Sequence, residues 1–367
     1  MTSLAQLGNE LYSGKTSFPF IGKRRIWYTI AGLIVVGSIV LIATVGLTPG
    51  IDFRGGSEIT ITSIASPDVG PANDVLADEG LSSGASVTTM GSASVRVQTN
   101  ELSNDELNTL STALADAYGV SDTDVSATTI GPTWSSDVTN KGIRGLVIFF
   151  VLVGGLIWAY FRTWKMAAAA LLALGHDIVV TVGVYAASGF EVTPATIIGV
   201  LTILGYSLYD TVVVFDKVRE NTDGFATQNR STYAELANLA VNQSLIRSIN
   251  TSIVGVLPVA SLLVVGAFIL GAGTLRDIAL TLFIGMIAGT LSSLFLATPL
   301  LVDLRSREQV VRQQAAKVAQ AREERVAAAG DDPEALAAIA AAPAAAPVIP
   351  GHHLGISAQP KRKKKRS

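Results

Sequence analysis

The sequence predicts an α-helical integral membrane protein with six transmembrane helices and a small α+β domain after the first helix. Hydrophobic residues make up 49% of the 367 residues and charged residues only 15%, well below the roughly 25% that is usual in soluble domains. Six apolar stretches are long enough to cross a bilayer, and one long polar region separates the first stretch from the second. These observations exclude an ordinary soluble enzyme.

The six predicted spans each contain about 20 predominantly apolar residues, the length that a helix needs to cross the bilayer core. They cover residues 26–47, 143–160, 166–187, 194–215, 249–270 and 278–302. Three bases, Lys23, Arg24 and Arg25, precede the first span. Bases also precede the apolar part of a secretory signal peptide, so the first span has to be distinguished from such a signal. Its apolar run is longer than that of a signal, and no small-residue cleavage site follows. We therefore expect a retained first helix.

The short loops predict the orientation of the chain in the cell membrane. Lysine and arginine are concentrated in residues 1–25, 161–165 and 216–248, whereas the opposite loops 188–193 and 271–276 contain none and one. Short loops rich in these bases stay in the cytoplasm. We therefore predict that the N-terminal segment 1–25 and the C-terminal tail 303–367 are cytoplasmic. Residues 48–141 then lie outside, and 142–302 contain spans 2 to 6.

The polar region 48–141 is predicted to be a folded domain with thirteen acidic and only two basic residues between positions 51 and 140. Alternating β-branched residues predict strands at 57–63, 85–89, 93–99 and 125–130, and helical periodicity predicts helices at 72–79 and 104–118. Ser103 and Glu106 form a capping-box pattern at the start of the second helix. The order βαββαβ is typical of a ferredoxin-like domain.

The cytoplasmic tail is predicted to be helical at first and disordered at its end. Residues 303–329 mix charges at helical spacing, 335–350 are rich in Ala and Pro, and six consecutive bases occupy 361–366. Such a basic run either is simply solvated or binds the anionic lipids of the cytoplasmic leaflet. Binding to RNA is a less favoured reading, and no other feature of the chain requires a nucleic acid.

Ionisable side chains within the predicted spans are candidate functional residues, because they are costly in a bilayer and often mark ion pathways. Asp210 lies inside the apolar run of span 4, where a carboxylate needs a counter-charge, a proton or water. It is therefore the leading candidate for proton transfer. His176 and Asp177 lie near the middle of span 3, where a structural role between helices is the alternative. Asp216 fits a solvated helix end.

The composition and spacing exclude several kinds of site. The chain has no cysteine and three scattered histidines, so it offers no disulfide framework, no thiolate site and no histidine-rich metal centre. We predict no cofactor and no metal. Ser207 and His176 offer a nucleophile and a base for an intramembrane serine protease. Leu208 follows the serine where that site needs glycine, and no oxyanion donors are evident, so we expect no enzyme.

Two motifs resemble those of a known family. After the first span, the pattern Gly-x-Asp-Phe-x-Gly-Gly is similar to the glycine motif of the SecD and SecF proteins. Its residues are Gly50, Asp52, Phe53, Gly55 and Gly56. Residues 201–221 resemble the fourth-span signature of the SecF branch, and His176-Asp177 and residues 242–252 are also similar to that branch. The signature in span 4 includes Gly205, Tyr206, Ser207, Asp210 and Asp216. The resemblance covers roughly residues 18–305.

This resemblance implies a subunit of the bacterial Sec protein-translocation apparatus, built as half of a transporter of the RND superfamily. Members of the SecF branch pair with SecD and assist preprotein export through the SecYEG channel and the SecA motor, using the proton gradient. The resemblance also implies that Asp210 and Arg247 take part in proton movement, with Asp177 and His176 as further members of the relay. Tyr209 departs from the family, whose members commonly have asparagine there. A passive scaffold and half of a small-molecule exporter remain alternatives.

Overall fold

The structure, a computed structural model, describes residues 4–14, 16–266, 273–330 and 332. Within them, six helices are long and apolar enough to cross a membrane, as the hydropathy pattern predicts. Spans 1 to 6 are the helices Arg24–Thr44, Pro132–Phe161, Trp164–Ser188, Pro194–Asn221, Tyr233–Val264 and Gly273–Ser306. The end of the predicted fifth span and the start of the loop after it, residues 267–272, lie outside the described residues.

Two of these helices begin well before the apolar runs that predict them. Span 2 begins at Pro132, whose fixed φ suits the first helical position, directly after the N-cap residue Gly131. Span 5 begins at Tyr233 behind a capping box, in which the backbone N–H of Thr232 donates to the Glu235 carboxylate at 2.8 Å. Hydropathy detects only the membrane-buried part of a helix, so it placed both starts too late.

The chain forms two compact units. The first unit comprises residues 1–22, 214–244 and 302–367, and the second comprises 23–213 and 245–301. The helices of spans 4, 5 and 6 each contribute residues to both units.

The first unit contains a short N-terminal helix, Leu4–Ser13, that the sequence analysis did not predict. The segment after it is held by two asparagines. Asn242 accepts from the backbone N–H of Phe18 at 2.8 Å and donates to its carbonyl at 3.0 Å, and Asn238 accepts from the N–H of Ile21 at 3.1 Å. Because an asparagine amide pairs with a backbone amide at both its groups, this segment is fixed without a strand or helix.

The first unit also contains a helix in the tail, Gln309–Ala329. Gln314 donates to the carbonyl of Ser231 at 2.8 Å, and Arg322 pairs with Glu235 at 2.8 Å. Val318 is fully buried on the same helix. The linker predicted at 335–350 and the basic end at 361–366 lie outside the described residues.

The α+β domain of the second unit has every strand and helix that the sequence predicts, with ends that differ by at most two residues. Its strands are β2 (Gly56–Ile61), β3 (Ser86–Met90), β4 (Ser94–Thr99) and β5 (Val125–Ile130), and its helices are Gly70–Asp78 and Asn104–Tyr118. The sheet order is β3-β4-β2-β5, and all neighbours are antiparallel. A further pair, β1 (Thr48–Pro49) and β6 (Glu191–Val192), joins the end of span 1 to the loop between spans 3 and 4.

The core of this domain lies between the sheet and its two helices. Ile59 and Val97 of the sheet are buried against Leu76 of the first helix and Leu110 and Leu114 of the second. The capping box at the second helix forms as predicted, and its hydrogen bonds from Ser103 lower the pKa of Glu106. The buried side chains of the alternating strands therefore pack against the apolar stripes of the helices. For this reason both sequence patterns predicted these elements correctly.

Glycines allow the spans of the second unit to approach closely. A Cβ at Gly183 of span 3 would lie 2.3 Å from the Cβ of Ser38 in span 1. On span 6, a Cβ at Gly285 would lie 2.5 Å from Ile203 of span 4, and one at Gly289 would lie 2.7 Å from Ser207. Such distances are shorter than any real contact, so larger residues would separate these helices.

Candidate functional site

Asp210 is buried in span 4, and only one of its carboxyl oxygens is hydrogen-bonded. The hydroxyl of Ser248, in span 5, donates to Oδ1 at 2.7 Å. Oδ2 is buried and has no hydrogen-bond partner. A buried carboxylate is costly unless it is paired and hydrogen-bonded, so this environment suits a carboxyl group that carries a proton on Oδ2.

Asp177 in span 3 is also buried, but both of its carboxyl oxygens have partners. The hydroxyls of Ser207 and Ser292 donate to Oδ2 at 2.7 and 2.9 Å, and Nδ1 of His176 lies 3.1 Å from Oδ1. Asp177 therefore has partners at both carboxyl oxygens, whereas Asp210 has a partner at Oδ1 alone.

A layer of hydroxyl groups connects the surroundings of the two aspartates. Ser207 and Asp210 lie three residues apart on span 4 and so share one face of the helix, together with Thr211. Thr211 in turn hydrogen-bonds Ser293 of span 6 at 2.9 Å. Ser207 reaches Asp177 because Gly289 allows span 6 to lie against it. The site is thus one polar layer formed by spans 3, 4, 5 and 6.

The hydroxyl groups of this layer were not among the predicted site residues. Serine and threonine are common in membrane helices, so a single hydroxyl group gives no signal there. This applies to Ser248, Ser292, Ser293 and Thr211. One signal was available, because Ser292 and Ser293 are adjacent in a mostly apolar part of span 6. The helix there changes to a π-helical turn at Ser293–Ala297, a feature that is frequent at functional sites.

Among the described residues, Arg247 makes no ion pair or hydrogen bond with Asp210. Arg247 is exposed on span 5, while the next residue, Ser248, is buried against the carboxyl group. The charge of Arg247 nevertheless acts on the Asp210 carboxyl group.

The glycine motif shapes the connection from span 1 to the sheet. Gly55 and Gly56 have φ of +79° and +135°, values that residues with side chains rarely adopt. A Cβ at Gly56 would lie 2.4 Å from the carbonyl oxygen of Thr99 on the neighbouring strand. The N–H of Gly50 donates to the carbonyl of Val192 at 2.9 Å. The two glycines therefore form a turn between the end of span 1 and strand β2.

The remaining residues of the two motifs lie away from the polar layer. Tyr206 donates to the carbonyl of Thr251 at 3.1 Å, which ties span 4 to span 5. Gly205 and Asp216 are exposed, and Phe53 is half-buried. Ser207 donates to Asp177 rather than to His176, so the serine and histidine do not form the nucleophile and base of a protease.

A second charged cluster, which the sequence patterns did not predict, lies between the α+β domain and the connection between spans 3 and 4. Arg96 of β4 pairs with Glu58 of β2 at 3.5 Å and with Glu191 of β6 at 3.3 Å. Gln98 donates to both carboxylates, at 2.9 and 3.1 Å. These residues line a cavity of about 280 Å³ together with Asp52, whose pKa is raised by burial and by the charge of Glu58.

This cluster holds the sheet on the loop between spans 3 and 4. Arg96 is one of only two bases in residues 51–140, which was the available signal. Periodicity gave no indication of its partners, because Glu191 is 95 residues away in sequence.

Two family models match the chain. The C-terminal model of the protein export membrane proteins SecD/SecF matches residues 110–307, and the SecD/SecF GG motif matches residues 40–63. The second match contains the glycine turn described above.

Several curated proteins and solved structures are similar to the chain. The protein translocase subunit SecF of Mycobacterium leprae is 46% identical over 86% of this chain and 70% of its own length. That of Streptomyces coelicolor is 46% identical over 84% of this chain and 82% of its own length. The crystal structure of SecDF from Thermus thermophilus is 29% identical, with a TM-score of 0.71 over 80% of this chain. This chain spans 39% of that SecDF chain.

Proposed function

Because the chain belongs to the SecD/SecF family of protein export membrane proteins, in its SecF branch, we propose that it uses the proton gradient to assist preprotein export. It is a multi-pass membrane protein and a translocase subunit rather than an enzyme. In this function it pairs with SecD and acts beside the SecYEG channel and the SecA motor. Residues 1–25 and 303–367 are cytoplasmic, and the α+β domain faces outward.

The lengths of the relatives support the pairing with SecD. The relatives from Mycobacterium leprae and Streptomyces coelicolor are named SecF, whereas SecDF of Thermus thermophilus is one longer chain, of which this chain covers 39%. A separate SecD subunit supplies what the remainder of SecDF supplies there. The sheet order supports a ferredoxin-like outer domain, since β3-β4-β2-β5 is the order expected for βαββαβ.

The observation that carries the coupling is the half-satisfied carboxyl group of Asp210. With Oδ2 unpartnered and Arg247 exposed without an ion pair to it, the arrangement suits a neutral, protonated Asp210. When the proton leaves, the buried carboxylate needs a positive charge, and a rotation of span 5 brings Arg247 to it. Proton binding and release thus favour two different packings of spans 4 and 5.

The gradient supplies enough free energy for such a change. Moving one elementary charge across the membrane releases about 2.3 kcal/mol of free energy per 100 mV of potential. Two packing states of a protein typically differ in free energy by a few kcal/mol, which is a comparable amount. The α+β domain follows the motion, because β1–β6 and the Arg96 cluster attach it to the spans. It then acts on the emerging polypeptide.

Reconstitution tests the function. Proteoliposomes with SecYEG, SecA and SecD, with and without this chain, are given a proton gradient in the presence of a preprotein. We expect the gradient to accelerate export only when the chain is present. Equal stimulation without the chain would reject the function, and a faster export that does not respond to the gradient would favour the passive scaffold.

A further inference from the structure

An apolar groove of about 300 Å³ lies between spans 1, 3 and 6. Its wall on span 1 consists of Trp27, Ile30, Ala31 and Ile34, whose spacing of three and four residues places them on one face of the helix. The ring centroids of Trp27 and Phe295 of span 6 lie 4.4 Å apart, at the end of the groove nearest the start of span 1. The groove is open at its side, since Ile30 and Ile34 are each 45% exposed.

The few polar side chains in the walls do not present their polar atoms to the groove. Oγ of Ser292 and Nδ1 of His176 are hydrogen-bonded to the carboxyl group of Asp177. The other nitrogens, Nε1 of Trp27 and Nε2 of His176, are buried. The open surface of the groove is therefore apolar, and an exposed apolar surface of this kind fits an apolar occupant.

The length of the groove fits one leaflet of the membrane. Trp27 to Ile34 covers seven residues, about 10 Å along the helix axis, and one leaflet has about 15 Å of hydrocarbon, half of the bilayer core. Trp27 directly follows the three bases that mark the membrane border. The groove therefore begins at the headgroups and ends before the middle of the membrane. An acyl chain has this extent, whereas a helix of a partner would cross the whole core.

The border at which the groove begins is basic. Lys23 and Arg25 before span 1 and Arg162 before span 3 are exposed, and residues 16–50 and 138–176 contain no acidic residue. Lys23 lies four residues before Trp27 and so near the groove along span 1. Each base at such a border raises the affinity for an anionic headgroup by about fivefold. The charge at the border is thus complementary to a phosphate group.

We propose that the groove binds one acyl chain of an anionic phospholipid, with the phosphate of that lipid against Lys23 and Arg25. The acyl chain covers the apolar sides of His176 and Ser292, so that hydrocarbon lies behind the partners of Asp177. Binding of the lipid goes beyond the proposed function. Only the choice of the cytoplasmic leaflet rests on it, through the proposed orientation of the chain.

The fluorescence of Trp27 tests the site. The other three tryptophans, Trp134, Trp158 and Trp164, are replaced by phenylalanine, and the full chain is reconstituted into phosphatidylcholine vesicles. Acyl-brominated phosphatidylglycerol or phosphatidylcholine, which quench indole fluorescence on contact, is added in rising fractions to both leaflets. A chain that retains only Trp158 is the matched control, because Trp158 lies near the same basic border but is 59% exposed on span 2.

We expect the relative affinity for phosphatidylglycerol over phosphatidylcholine to be at least about fivefold higher at Trp27 than at Trp158. Equal preference at the two positions would mean that the lipid is attracted to the border in general, and would overturn the site. The same experiment is repeated with SecD present. Loss of the quenching of Trp27 on addition of SecD would mean that a helix of the partner covers the groove, and would also overturn the proposal.

Variants separate the groove from the charges. Ala31→Leu adds volume inside the groove, and we expect it to weaken the quenching of Trp27 by both lipids at least about threefold. Lys23→Gln with Arg25→Gln should lower only the preference for phosphatidylglycerol, by about fivefold for each charge. Leu33→Phe, at a position of span 1 that is 67% exposed outside the groove, should change neither. Unchanged quenching in Ala31→Leu, or an unchanged preference in the charge variant, would overturn the proposal.

Lipid retention by the unaltered chain gives a second measurement without tryptophan substitutions. After extraction in a mild detergent, we expect the chain to retain phosphatidylglycerol, detected by mass spectrometry, and Lys23→Gln with Arg25→Gln to retain at least about fivefold less. Equal retention by the two chains would overturn the role of the two bases. Neither measurement uses a proton gradient, so a failure of gradient-driven export would reject the proposed function and leave the lipid site standing.

Discussion

Asp210 and Asp177 have the same side chain and are both buried, yet their hydrogen bonds differ. Asp177 accepts from two serines and faces a histidine, whereas Asp210 accepts from one serine and keeps a bare oxygen. In a low-dielectric interior each missing donor favours the protonated form. The chain therefore holds one buried carboxyl group with partners at both oxygens and one, Asp210, that we propose gains and loses a proton.

Ser248 tests this assignment at Asp210. Ser248→Ala removes the single hydrogen bond to the carboxyl group, and we expect it to lower the stability of the SecD complex by about 1–3 kcal/mol, since both oxygens are then unpartnered. Thermal unfolding in detergent measures this. Thr251→Ala, which removes a hydroxyl that bonds only to its own helix, serves as the control and should change stability by less than about 0.5 kcal/mol. Equal effects would contradict the assignment.

Arg247 tests the second packing state. We expect Arg247→Met to abolish gradient-stimulated export while SecD still co-purifies, because the ionised Asp210 then has no counter-charge. Arg247→Lys should retain part of the stimulation, since the charge survives but the planar fork does not. An export assay with an imposed gradient measures both. Normal stimulation in the methionine variant would contradict the second packing state.

Single residues could be predicted only where their chemistry conflicts with their surroundings. An aspartate in an apolar span is such a conflict, so Asp210 was found from the sequence. Ser248 and Ser293 do not conflict with an apolar span, because a hydroxyl group can always hydrogen-bond to its own helix. Which hydroxyl meets which carboxyl group depends on the rotation of neighbouring helices, and this is decided by packing between spans.

The turn at Gly55-Gly56 shows how an element boundary depends on backbone space. Gly56→Ala places a Cβ 2.4 Å from the Thr99 carbonyl at a φ of +135°, and we expect a loss of more than about 2 kcal/mol in stability. Thermal unfolding and protease resistance of the whole chain measure it. Gly175→Ala, a helical position with open space around it, should be neutral or slightly stabilising. Equal stability of the two variants would contradict the role of the turn.

The Arg96 cluster attaches the sheet to the loop of spans 3 and 4. We expect Arg96→Glu to reduce gradient-stimulated export, because two carboxylates then face the new one without a cation. The double variant Arg96→Glu and Glu191→Arg should recover part of the loss, with a coupling of about 0.5–3 kcal/mol in the stability cycle. Lys141→Glu, which breaks an exposed pair, is the control. Additive effects in the cycle would mean that Arg96 and Glu191 do not interact, and would contradict the attachment of the sheet through this cluster.

Elements with a strong period were predicted well, and their arrangement was not. The strands and helices of the α+β domain follow from alternation and from apolar stripes, and they are present within two residues of the prediction. The parallel pair β1–β6 has two residues per strand, too few for any period. The N-terminal helix Leu4–Ser13 was missed because it lies in a segment interpreted only through its charge.

At the scale of the whole molecule, a thin polar layer lies within spans whose sequences are mostly apolar. Large apolar side chains are exposed along several spans, among them Leu33, Val151, Leu156 and Val254. Such faces suit lipid or the apolar surface of a partner subunit such as SecD. Hydropathy predicted the number of spans because membrane burial imposes it, whereas the partner surfaces leave no pattern in one sequence.

The most direct test of proton coupling is gradient-stimulated export by the Asp210→Asn variant, in proteoliposomes in which SecD association is confirmed. Asparagine keeps the hydrogen bond to Ser248 and cannot titrate, and Asp216→Asn, at an exposed position of the same helix, is the matched control. We expect Asp210→Asn to export at the rate seen without a gradient, and Asp216→Asn to respond to the gradient as the unaltered chain does. Full stimulation in Asp210→Asn would contradict proton coupling through this carboxyl group.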